Sequence, residues 1–278
     1  MKHRSIVKTI RGRHAVDGAG VHMVRVFGGK SAEDFDPFLM LDSFDSTDPA
    51  DYVAGFPMHP HRGIETVTYL ISGEIEHEDS LGNKGVIRSG ESQWMCAGSG
   101  ILHQEMPKAS ERMLGFQLWL NLPQAEKMTE PTYCSIEVPM IGIKEMDGAR
   151  VQVLSGQLEE AKGIQPGHIP ATIYDVALEA GRNIDLPTKA EDTVFVFLME
   201  GDAIIDGQAI AEKTAVLFGA GESIAVQATS SAPLRFIVFS AKPLHEPVAW
   251  GGSIVMNTRE EIELAIHELR QGTFIKHK

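Results

Sequence analysis

Two pairs of potential metal ligands are the most informative residues in this sequence. His59 and His61 are two residues apart, and so are His103 and Glu105. Both pairs lie in sequence that we interpret as β-strand, where alternate side chains point to opposite faces, so each pair projects to one side. Two neighbouring strands can then bring four donors to one ion. Because imidazoles with a carboxylate are typical of catalytic zinc and non-haem iron centres, the spacing predicts a transition-metal site.

The other histidines have no partner at this spacing. The chain contains 11 histidines in 278 residues, so some close pairs arise by chance, and one pair alone would be weak evidence. We interpret the remaining ones as surface or hydrogen-bonded side chains: His3, His14, His22, His77, His168, His245, His267 and His277.

The segment that follows the first pair predicts β-hairpins. Polar and apolar residues alternate over 66–71 and again over 74–78, and glycine-containing turns interrupt them at Ser72-Gly73 and at 81–85. Alternation with short turns is typical of a β-sandwich or barrel. The candidate ligands are therefore expected on the strands of an all-β domain.

Helical periodicity is confined to the end of the chain. Thr258-Arg-Glu-Glu261 forms a capping box, and Gly272 is a stop signal. Between them the apolar residues stand at helical spacing: Ile262, Ala265, Ile266 and Leu269. One amphipathic C-terminal helix is predicted, which covers a sheet face or packs on another domain.

The β-rich pattern occurs twice. Glu65–Ile75 resembles Asp192–Ile204, and Ser89–Ser92 returns as Ala220–Ser223. The order and the intervals agree, and each half closes with a strongly apolar strand followed by proline. Two tandem β-domains are therefore predicted. Their boundaries are residues 1–134 and 140–278.

The two copies differ chemically. Where the first copy has Met58-His-Pro-His-Arg62, the second has Asp185-Leu-Pro-Thr-Lys189. The counterpart of the His103 strand is 223–230, which contains no candidate ligand. The sequence thus predicts one metal per chain, in the N-terminal half.

Composition excludes several classes of function. The net charge is −13, the pI is near 5.3, and the 25 lysines and arginines are scattered, so direct nucleic-acid binding is not expected. No apolar stretch is long enough to span a bilayer, and the N-terminal residues lack a signal-peptide pattern, which favours a cytoplasmic protein without a membrane partner. Cys96 and Cys134 form no CxxC pair, as is usual in a reducing compartment, and Cys96 is expected to be buried.

The first ligand pair lies in a string that resembles a known motif. Gly55-x-x-x-His59-x-His61-x-x-x-Glu65, followed after a strand by Gly73, is similar to the first cupin motif. The stretch from Gly90 to His103 is similar to the second. It departs from that motif in having Cys96 where proline is usual.

Two further departures concern the second motif. Four residues separate Gly98 from His103, a longer interval than usual, and Pro107 stands where the common motif ends in asparagine. A more specific resemblance, to the pirins, covers nearly the whole chain. It is carried by Asp36-Pro-Phe-Leu-Met-Leu-Asp42, Phe56-Pro-Met-His-Pro-His-Arg-Gly-Ile-Glu-Thr-Val67, Gln93-Trp-Met-Cys-Ala-Gly-Ser-Gly-Ile-Leu-His-Gln-Glu-Met-Pro107, and Val255-Met-Asn-Thr258 with its helix.

The pirin resemblance implies an all-β bicupin: two tandem cupin (jelly-roll) β-barrels with a C-terminal α-helix. It implies that the N-terminal barrel binds one divalent non-haem metal per chain, with Fe²⁺ expected and Cu, Ni, Mn or Zn as alternatives. Carried over residue by residue, the metal ligands are His59, His61, His103 and Glu105.

Glu65 is the competing carboxylate. If the strand stayed regular from His59, Glu65 would also face inward, although Gly63 is a place where a strand can shift register. The resemblance favours Glu105 as the ligand. Two roles then stay open for Glu65: it orients a histidine through the distal N–H, or it is a solvated or salt-bridged strand residue.

Pirins are associated with quercetin 2,3-dioxygenase activity, and some are metal- or redox-sensitive co-regulators that bind other proteins. The resemblance therefore implies an oxidoreductase that takes a flavonol-like substrate and O₂, with Glu105 as ligand and general base. The competing class is a non-catalytic, metal-dependent protein that binds a protein partner. A structural zinc site is a weaker alternative, because such sites usually have a closed, Cys-rich shell. Apolar candidates for a pocket or for the barrel core are Phe56, Met95, Met106 and Phe116.

Overall fold

The segments of two folding units alternate along the chain. The computed structural model describes residues 2–277. The first barrel, as we name it, comprises residues 14–137, 166–169 and 244–277, and the second barrel comprises residues 2–13, 138–165 and 170–243. The N-terminal strand therefore belongs to the second barrel and the C-terminal helix to the first. A single cut between 1–134 and 140–278, as expected from the sequence, does not include this exchange of terminal segments.

Strands dominate the first half of the chain. They are β1 Ile6–Arg11, β2 Arg13–Asp17, β3 Val21–Gly28, β4 Phe38–Ser46, β5 Phe56–His61, β6 Ile64–Ser72, β7 Glu74–Asp79, β8 Lys84–Arg88, β9 Ser92–Cys96, β10 Ile101–Pro107, β11 Met113–Asn121 and β12 Thr132–Ile136. Short 3₁₀ helices lie at Gly29–Phe35, Pro49–Asp51, Gln124–Glu126 and Val138–Met140.

The second half repeats this pattern. Its strands are β13 Gly142–Met146, β14 Ala149–Ser155, β15 Gln157–Leu158, β16 Ala161–Lys162, β17 Thr172–Leu178, β18 Asn183–Pro187, β19 Thr193–Glu200, β20 Ala203–Ile205, β21 Gln208–Ile210, β22 Thr214–Phe218, β23 Ser223–Ala228, β24 Leu234–Ala241, β25 Ala249–Gly251 and β26 Ile254–Met256. The helix α1 spans Arg259–Gln271.

The first barrel consists of a seven-stranded sheet, ordered β12-β9-β6-β11-β4-β3-β2, and a four-stranded sheet, ordered β5-β10-β7-β8. A turn lies at Gly73 as predicted, but it joins two sheets and not the strands of a hairpin, since β6 pairs with β9 and β11, and β7 pairs with β8 and β10. The hairpin predicted for the next turn is confirmed as β7–β8. Gly73 has a φ of 114°, a conformation that favours glycine because it has no Cβ. The two strands β6 and β7 therefore belong to different sheets.

A row of polar side chains crosses the seven-stranded sheet of the first barrel. Residues that are directly paired on neighbouring strands share a face, and the register aligns one polar residue on each of five strands. This polar row consists of Gln93, Thr68, Gln117, Asp42 and Arg25. It runs between two apolar clusters, one containing Phe44 and Leu70 and the other Met40 and Trp119.

The second barrel has the same strand arrangement with different side chains. Its sheets are ordered β1-β22-β19-β24-β17-β14-β13 and β18-β23-β20-β21. The row that corresponds to the polar row consists of Val216, Val196, Val238, Tyr174 and Val153. At the position of the β5–β10 pair, Leu186 lies opposite Ile224. Within residues 2–277, none of the clusters of metal-ligand side chains lies in this barrel.

The C-terminal helix begins and ends where the sequence predicts. The Thr258 side chain accepts from the backbone N of Glu261, whose carboxylate accepts in turn from the backbone N of Thr258. Gly272 ends the helix with a φ of 69°. The apolar face of the helix, with Ile262 and Ala265, packs within the first barrel. In the described part of the chain, no helix has the length and apolar character needed to cross a membrane.

A buried arginine fixes the end of the chain in the first barrel. Arg62 is 2% exposed. Its Nε donates to the carbonyl of Ser99 at 2.7 Å, and its Nη2 donates to the carbonyl of Phe274 at 2.9 Å. The same Nη2 lies 2.7 Å from Glu268 Oε2, and the guanidinium carbon lies 4.2 Å from the centroid of the Phe274 ring. One side chain thus binds α1 and the segment after it.

Replacement of Arg62 should therefore destabilise the protein strongly. We expect Arg62→Leu to lower the free energy of unfolding by about 3 kcal/mol or more, because it leaves a largely buried carboxylate and two carbonyls short of a donor. Arg259→Leu is the matched control, since its ion pair with Glu263 is exposed and such a pair contributes about 0.5 kcal/mol or less. Urea denaturation measures both changes. Equal losses in the two variants would contradict this role of Arg62.

Candidate metal centre

Neighbouring strands bring three histidines together. β5 and β10 pair antiparallel, with His59 opposite His103. The Nε2 atom of His59 lies 3.0 Å from the Nε2 atom of His61 and 3.0 Å from that of His103. His61 and His103 are each 1% exposed. We call these three residues the histidine cluster.

Backbone carbonyls determine which nitrogens of the cluster carry lone pairs. His59 Nδ1 lies 2.9 Å from the carbonyl of Pro57, and His61 Nδ1 lies 3.1 Å from that of Ser253. A carbonyl only accepts, so both Nδ1 atoms carry the proton and both Nε2 atoms present a lone pair. Burial, together with the neighbouring His59, lowers the pKa of His61 to about 3. The neutral His61 ring therefore presents the lone pair of its Nε2 to the rest of the cluster.

This arrangement fits a divalent transition metal. Lone pairs 3.0 Å apart repel each other, whereas a cation bound at about 2.0–2.1 Å from each nitrogen converts the repulsion into coordination. The carbonyls of Pro57 and Ser253 are the type of partner that orients metal-binding histidines through the distal nitrogen. The three histidines thus have the geometry of the imidazole part of the expected donor set.

Glu105 is buried beside the cluster and is held by amides. It is 3% exposed. Gln93 Nε2 donates to its Oε1 at 2.6 Å, and Gln117 Nε2 donates to its Oε2 at 2.6 Å. The Thr68 hydroxyl also donates to Oε1, at 3.1 Å. Oε1 therefore has two donors and Oε2 has one, which leaves a lone pair on Oε2 for a further interaction.

The side-chain amides of Gln117 and Gln93 each have a hydrogen-bond partner on the side away from Glu105. Trp119 Nε1, which can only donate, lies 3.2 Å from Gln117 Oε1, so the amide nitrogen of Gln117 must face Glu105. The Tyr133 hydroxyl donates to Gln93 Oε1 at 3.2 Å. For Gln93 the carboxylate itself excludes the flipped amide, because a carboxylate only accepts and needs the N–H on its side.

The four candidate ligands are not equally close to one another. Ligand-type atoms of the three cluster histidines lie within 4.8 Å of one another. A carboxylate oxygen of Glu105 lies within the same distance of His103 and His77, but Glu105 does not join the set with His59 and His61. The ladder between β5 and β10 shifts register between His103 and Glu105. The structure thus brings three candidates together and places the fourth next to one of them.

His77 borders the site, although its spacing gave no such signal. It is 2% exposed, lies opposite Glu105 on β7, and stacks on Tyr133 with the ring centroids 4.5 Å apart. Its Nε2 lies 3.4 Å from Asp79 Oδ2, and its buried Nδ1 has no partner among residues 2–277. The interpretation as a hydrogen-bonded residue holds for Nε2. Only the register of β7 and β10 could have placed it here.

Glu65 does not take either of the roles expected for it. β5 ends before Gly63, which turns the chain with a φ of 76°, and β6 begins after it in the other sheet. Neighbouring residues on a strand face opposite sides, so Glu65 points away from the face that carries Thr68. It is fully buried, and its carboxylate accepts from Trp94 Nε1 at 3.0 Å and from the backbone N of His168 at 2.7 Å.

Glu65 therefore has a structural role. Burial raises its pKa, an effect that the two N–H donors oppose. Gly167 approaches so closely that a Cβ there would collide with this carboxylate and with the Trp94 indole. Glu65 holds the segment 166–169 in the first barrel, and the turn at Gly63 is the reason why strand spacing from His59 was misleading. Cys96 is buried as expected, and burial raises its pKa to about 12.

A cavity of about 710 Å³ opens beside the histidine cluster. His59, His61 and Gln117 line it, and its apolar walls are Met40, Phe44, Phe56, Trp119 and Trp250. The Trp119 ring stands edge-on to the His61 ring at 5.0 Å between centroids. This site cavity therefore offers flat aromatic walls next to the candidate metal position.

The apolar candidates from the sequence divide between the cavity and the core. Phe56 lines the site cavity, as one of the two interpretations expected. Met95 and Phe116 are fully buried, and Met106 lines a separate groove beside β7 and β8. The two tryptophans of the cavity gave no signal in the sequence.

Comparison with known proteins identifies relatives over the full length. The Pirin family model matches residues 20–120, and the model of the pirin C-terminal cupin domain matches residues 173–275. A protein of Pseudomonas aeruginosa, named provisionally as a quercetin 2,3-dioxygenase, is 43% identical over 98% of both chains.

Solved structures agree with this relationship. The structure of a quercetin 2,3-dioxygenase from Acinetobacter baumannii has a TM-score of 0.89 and 30% identity, and each chain covers 98% of the other. A bacterial pirin from Escherichia coli, solved in complex with nickel(II), has a TM-score of 0.66 at 23% identity over 85% of this chain and 99% of its own, which shows the shared fold. With both family models and a relative matched along its full length, this chain belongs to the pirin family and has two cupin domains.

Proposed function

We propose that this pirin is a metal-dependent dioxygenase that cleaves a flavonol of the quercetin type with O₂. The observation that carries the proposal is a set of imidazole lone pairs that face each other at the end of an aromatic-lined cavity. The similarity to the Acinetobacter baumannii quercetin 2,3-dioxygenase supports it. The proposed ligands of one divalent metal per chain, Fe²⁺ in our expectation, are His59, His61, His103 and Glu105.

The metal and the protein have separate tasks in this proposal. When bound, the divalent ion supplies Lewis acidity toward the 3-hydroxyl and 4-carbonyl oxygens of a flavonol and the redox chemistry for reaction with O₂. The carboxylate of Glu105 receives the proton of the 3-hydroxyl at Oε2, the oxygen with a single hydrogen-bond donor. Gln93 and Gln117 keep that carboxylate in place throughout.

The cavity walls position the substrate. Trp119 and Trp250 are nearly parallel, with centroids 6.4 Å apart and an interplanar angle of 21°. Together with Phe44 and Phe56 they present flat apolar surface to an aromatic ring and keep water from it. Aromatic walls with a few convergent polar groups are typical of sites for small aromatic molecules.

We expect one transition metal per chain, and we expect ligand variants to differ in metal affinity. Glu105→Ala should weaken binding by more than the 10–100-fold that loss of a supporting partner typically costs. Glu65→Gln should keep nearly the affinity of the wild-type protein, because Glu65 faces Trp94 and His168 and not the cluster. Elemental analysis and titration against a competing chelator measure both. A larger loss in Glu65→Gln than in Glu105→Ala would reverse the assignment of the carboxylate ligand.

We also expect oxygen uptake that depends on quercetin and releases carbon monoxide. In Glu105→Gln the rate of oxygen uptake should fall by about 100-fold or more, since an amide is a very poor base. Metal content must be measured alongside. The new amide nitrogen faces an N–H donor of Gln93 or Gln117, so a change in ligation has to be separated from the loss of the base. Glu111→Gln, at an exposed glutamate, is the control.

The activity is tested with iron, copper and nickel in turn. If none of the three loaded proteins consumes oxygen with quercetin or related flavonols, the dioxygenase proposal is wrong. The metal-dependent protein-binding role is then the remaining function, and affinity capture with intact and metal-stripped protein tests it.

A further inference from the structure

The site cavity has a second polar region, contributed by strands that carry no candidate metal ligand. Asp17 at the end of β2, Arg25 on β3 and Asp42 on β4 line the same cavity as His59 and His61. Asp42 and Arg25 are the last two members of the polar row. The proposed chemistry of the metal site assigns no role to these three charges.

Arg25 is held rigidly from one side. Its Nε donates to Asp42 Oδ1 at 2.9 Å and its Nη2 to Asp42 Oδ2 at 2.8 Å. This two-pronged geometry fixes the plane of the guanidinium. Asp42 is 4% exposed, so both of its oxygens serve Arg25. The function of Asp42 is to position the arginine.

The remaining hydrogen-bonding groups lie on the open side. Arg25 Nη2 also donates to Asp17 Oδ2 at 2.8 Å, and the backbone N of Gly18 donates to Asp17 Oδ1. Neither N–H of Arg25 Nη1 has an acceptor among residues 2–277. The side chains of Arg25 and Asp17 are 35% and 52% exposed. The cavity therefore offers unused donors next to a half-exposed acceptor.

The charge of this region restricts the ligand. One guanidinium faces two carboxylates, so the three side chains together carry a net negative charge. A carboxylate, sulfate or phosphate on a ligand would meet that charge unfavourably. A phenolic hydroxyl is neutral and both accepts and donates, which matches a free N–H beside a carboxylate oxygen.

We propose that Arg25 and Asp17 form a subsite for the hydroxyl groups of an aromatic ring, with a neutral polyphenol carrying two adjacent hydroxyls as its ligand class. One hydroxyl accepts from Arg25 Nη1, and its neighbour donates to Asp17. The inference rests on the proposed function, because the same molecule is to reach the metal site with its other end, and it specifies which flavonols the cavity selects.

The test compares two flavonols that differ only at the ring remote from the 3-hydroxyl and 4-carbonyl. Quercetin has two adjacent hydroxyls there, and 3,5,7-trihydroxyflavone has none, so contacts at the metal are common to both. Binding is followed anaerobically in the metal-loaded protein by quenching of tryptophan fluorescence. Trp119 and Trp250 line the cavity, and the third tryptophan, Trp94, is buried against Glu65.

We expect quercetin to bind about tenfold more tightly than 3,5,7-trihydroxyflavone, as hydrogen bonds to charged groups allow. Asp17→Asn should reduce this preference to about twofold or less. It keeps an acceptor for the backbone N of Gly18 but removes the one beside Arg25. Asp185→Asn, at an exposed aspartate of the second barrel, should keep the full preference. Quercetin sulfated on the remote ring should bind more weakly than quercetin.

The outcomes separate this inference from the proposed activity. Equal affinity of the wild-type protein for the two flavonols, an undiminished preference in Asp17→Asn, or no binding of either flavonol would overturn the subsite. Selective binding that is lost in Asp17→Asn supports it even where oxygen uptake is absent. In that case the dioxygenase proposal fails and the recognition of the polyphenol stands.

Discussion

The first barrel is organised by the need to pair every charge that it buries. Glu105 and Asp42 are almost fully buried beside the apolar clusters of the first barrel. An isolated charge in such a place costs several kcal/mol of folding free energy unless hydrogen bonds compensate it. Glu105 is compensated by two amides and a hydroxyl, and Asp42 by a guanidinium. Because all these partners stand in one cross-strand row, the strand register itself places the partners of both carboxylates.

The second barrel shows what the same scaffold contains where, among residues 2–277, no cluster of metal-ligand side chains lies. Its corresponding row has four valines and one tyrosine, Tyr174, whose hydroxyl donates to the carbonyl of Gln157 at 2.6 Å. The strands that correspond to β5 and β10 meet through Leu186 and Ile224. Apolar residues of this kind pack without a desolvation cost. The two copies thus differ at matching positions: the second barrel has a mainly apolar row, and the first has buried polar groups beside a cavity.

The parts of this structure that the sequence predicts depend on local periodicity. Spacing of two residues placed His59 and His61 on one face, and the capping box at Thr258 fixed the start of α1. Gln117 was not predictable in the same way, because its contact with Glu105 depends on how β11 is aligned with β6 and β9. Strand spacing from His59 would turn Glu65 inward, but Gly63, with its positive φ, ends the strand before Glu65. The placement of the terminal segments also depends on long-range contacts, since β1 joins the edge strand β22 and α1 packs in the first barrel, and no internal repeat encodes that choice.

The C-terminal segment is part of the site, although it is distant in sequence. The carbonyl of Ser253 fixes the proton on His61 Nδ1 across 192 residues, and Trp250 forms a wall of the cavity. Lys127 connects this segment to the turn after β5, since its Nζ donates to the carbonyls of Gly63 and Val255 at 2.9 Å each.

Lys127 also donates to the side chain of Asn121, at 2.7 Å. Its three acceptors match the three N–H groups of an ammonium ion. Burial lowers its pKa to about 8, so at neutral pH the ammonium form still predominates and all three bonds are made. The pirin-like string at 255–258 therefore has a structural role. It lies in the segment that holds His61 in the tautomer a metal requires.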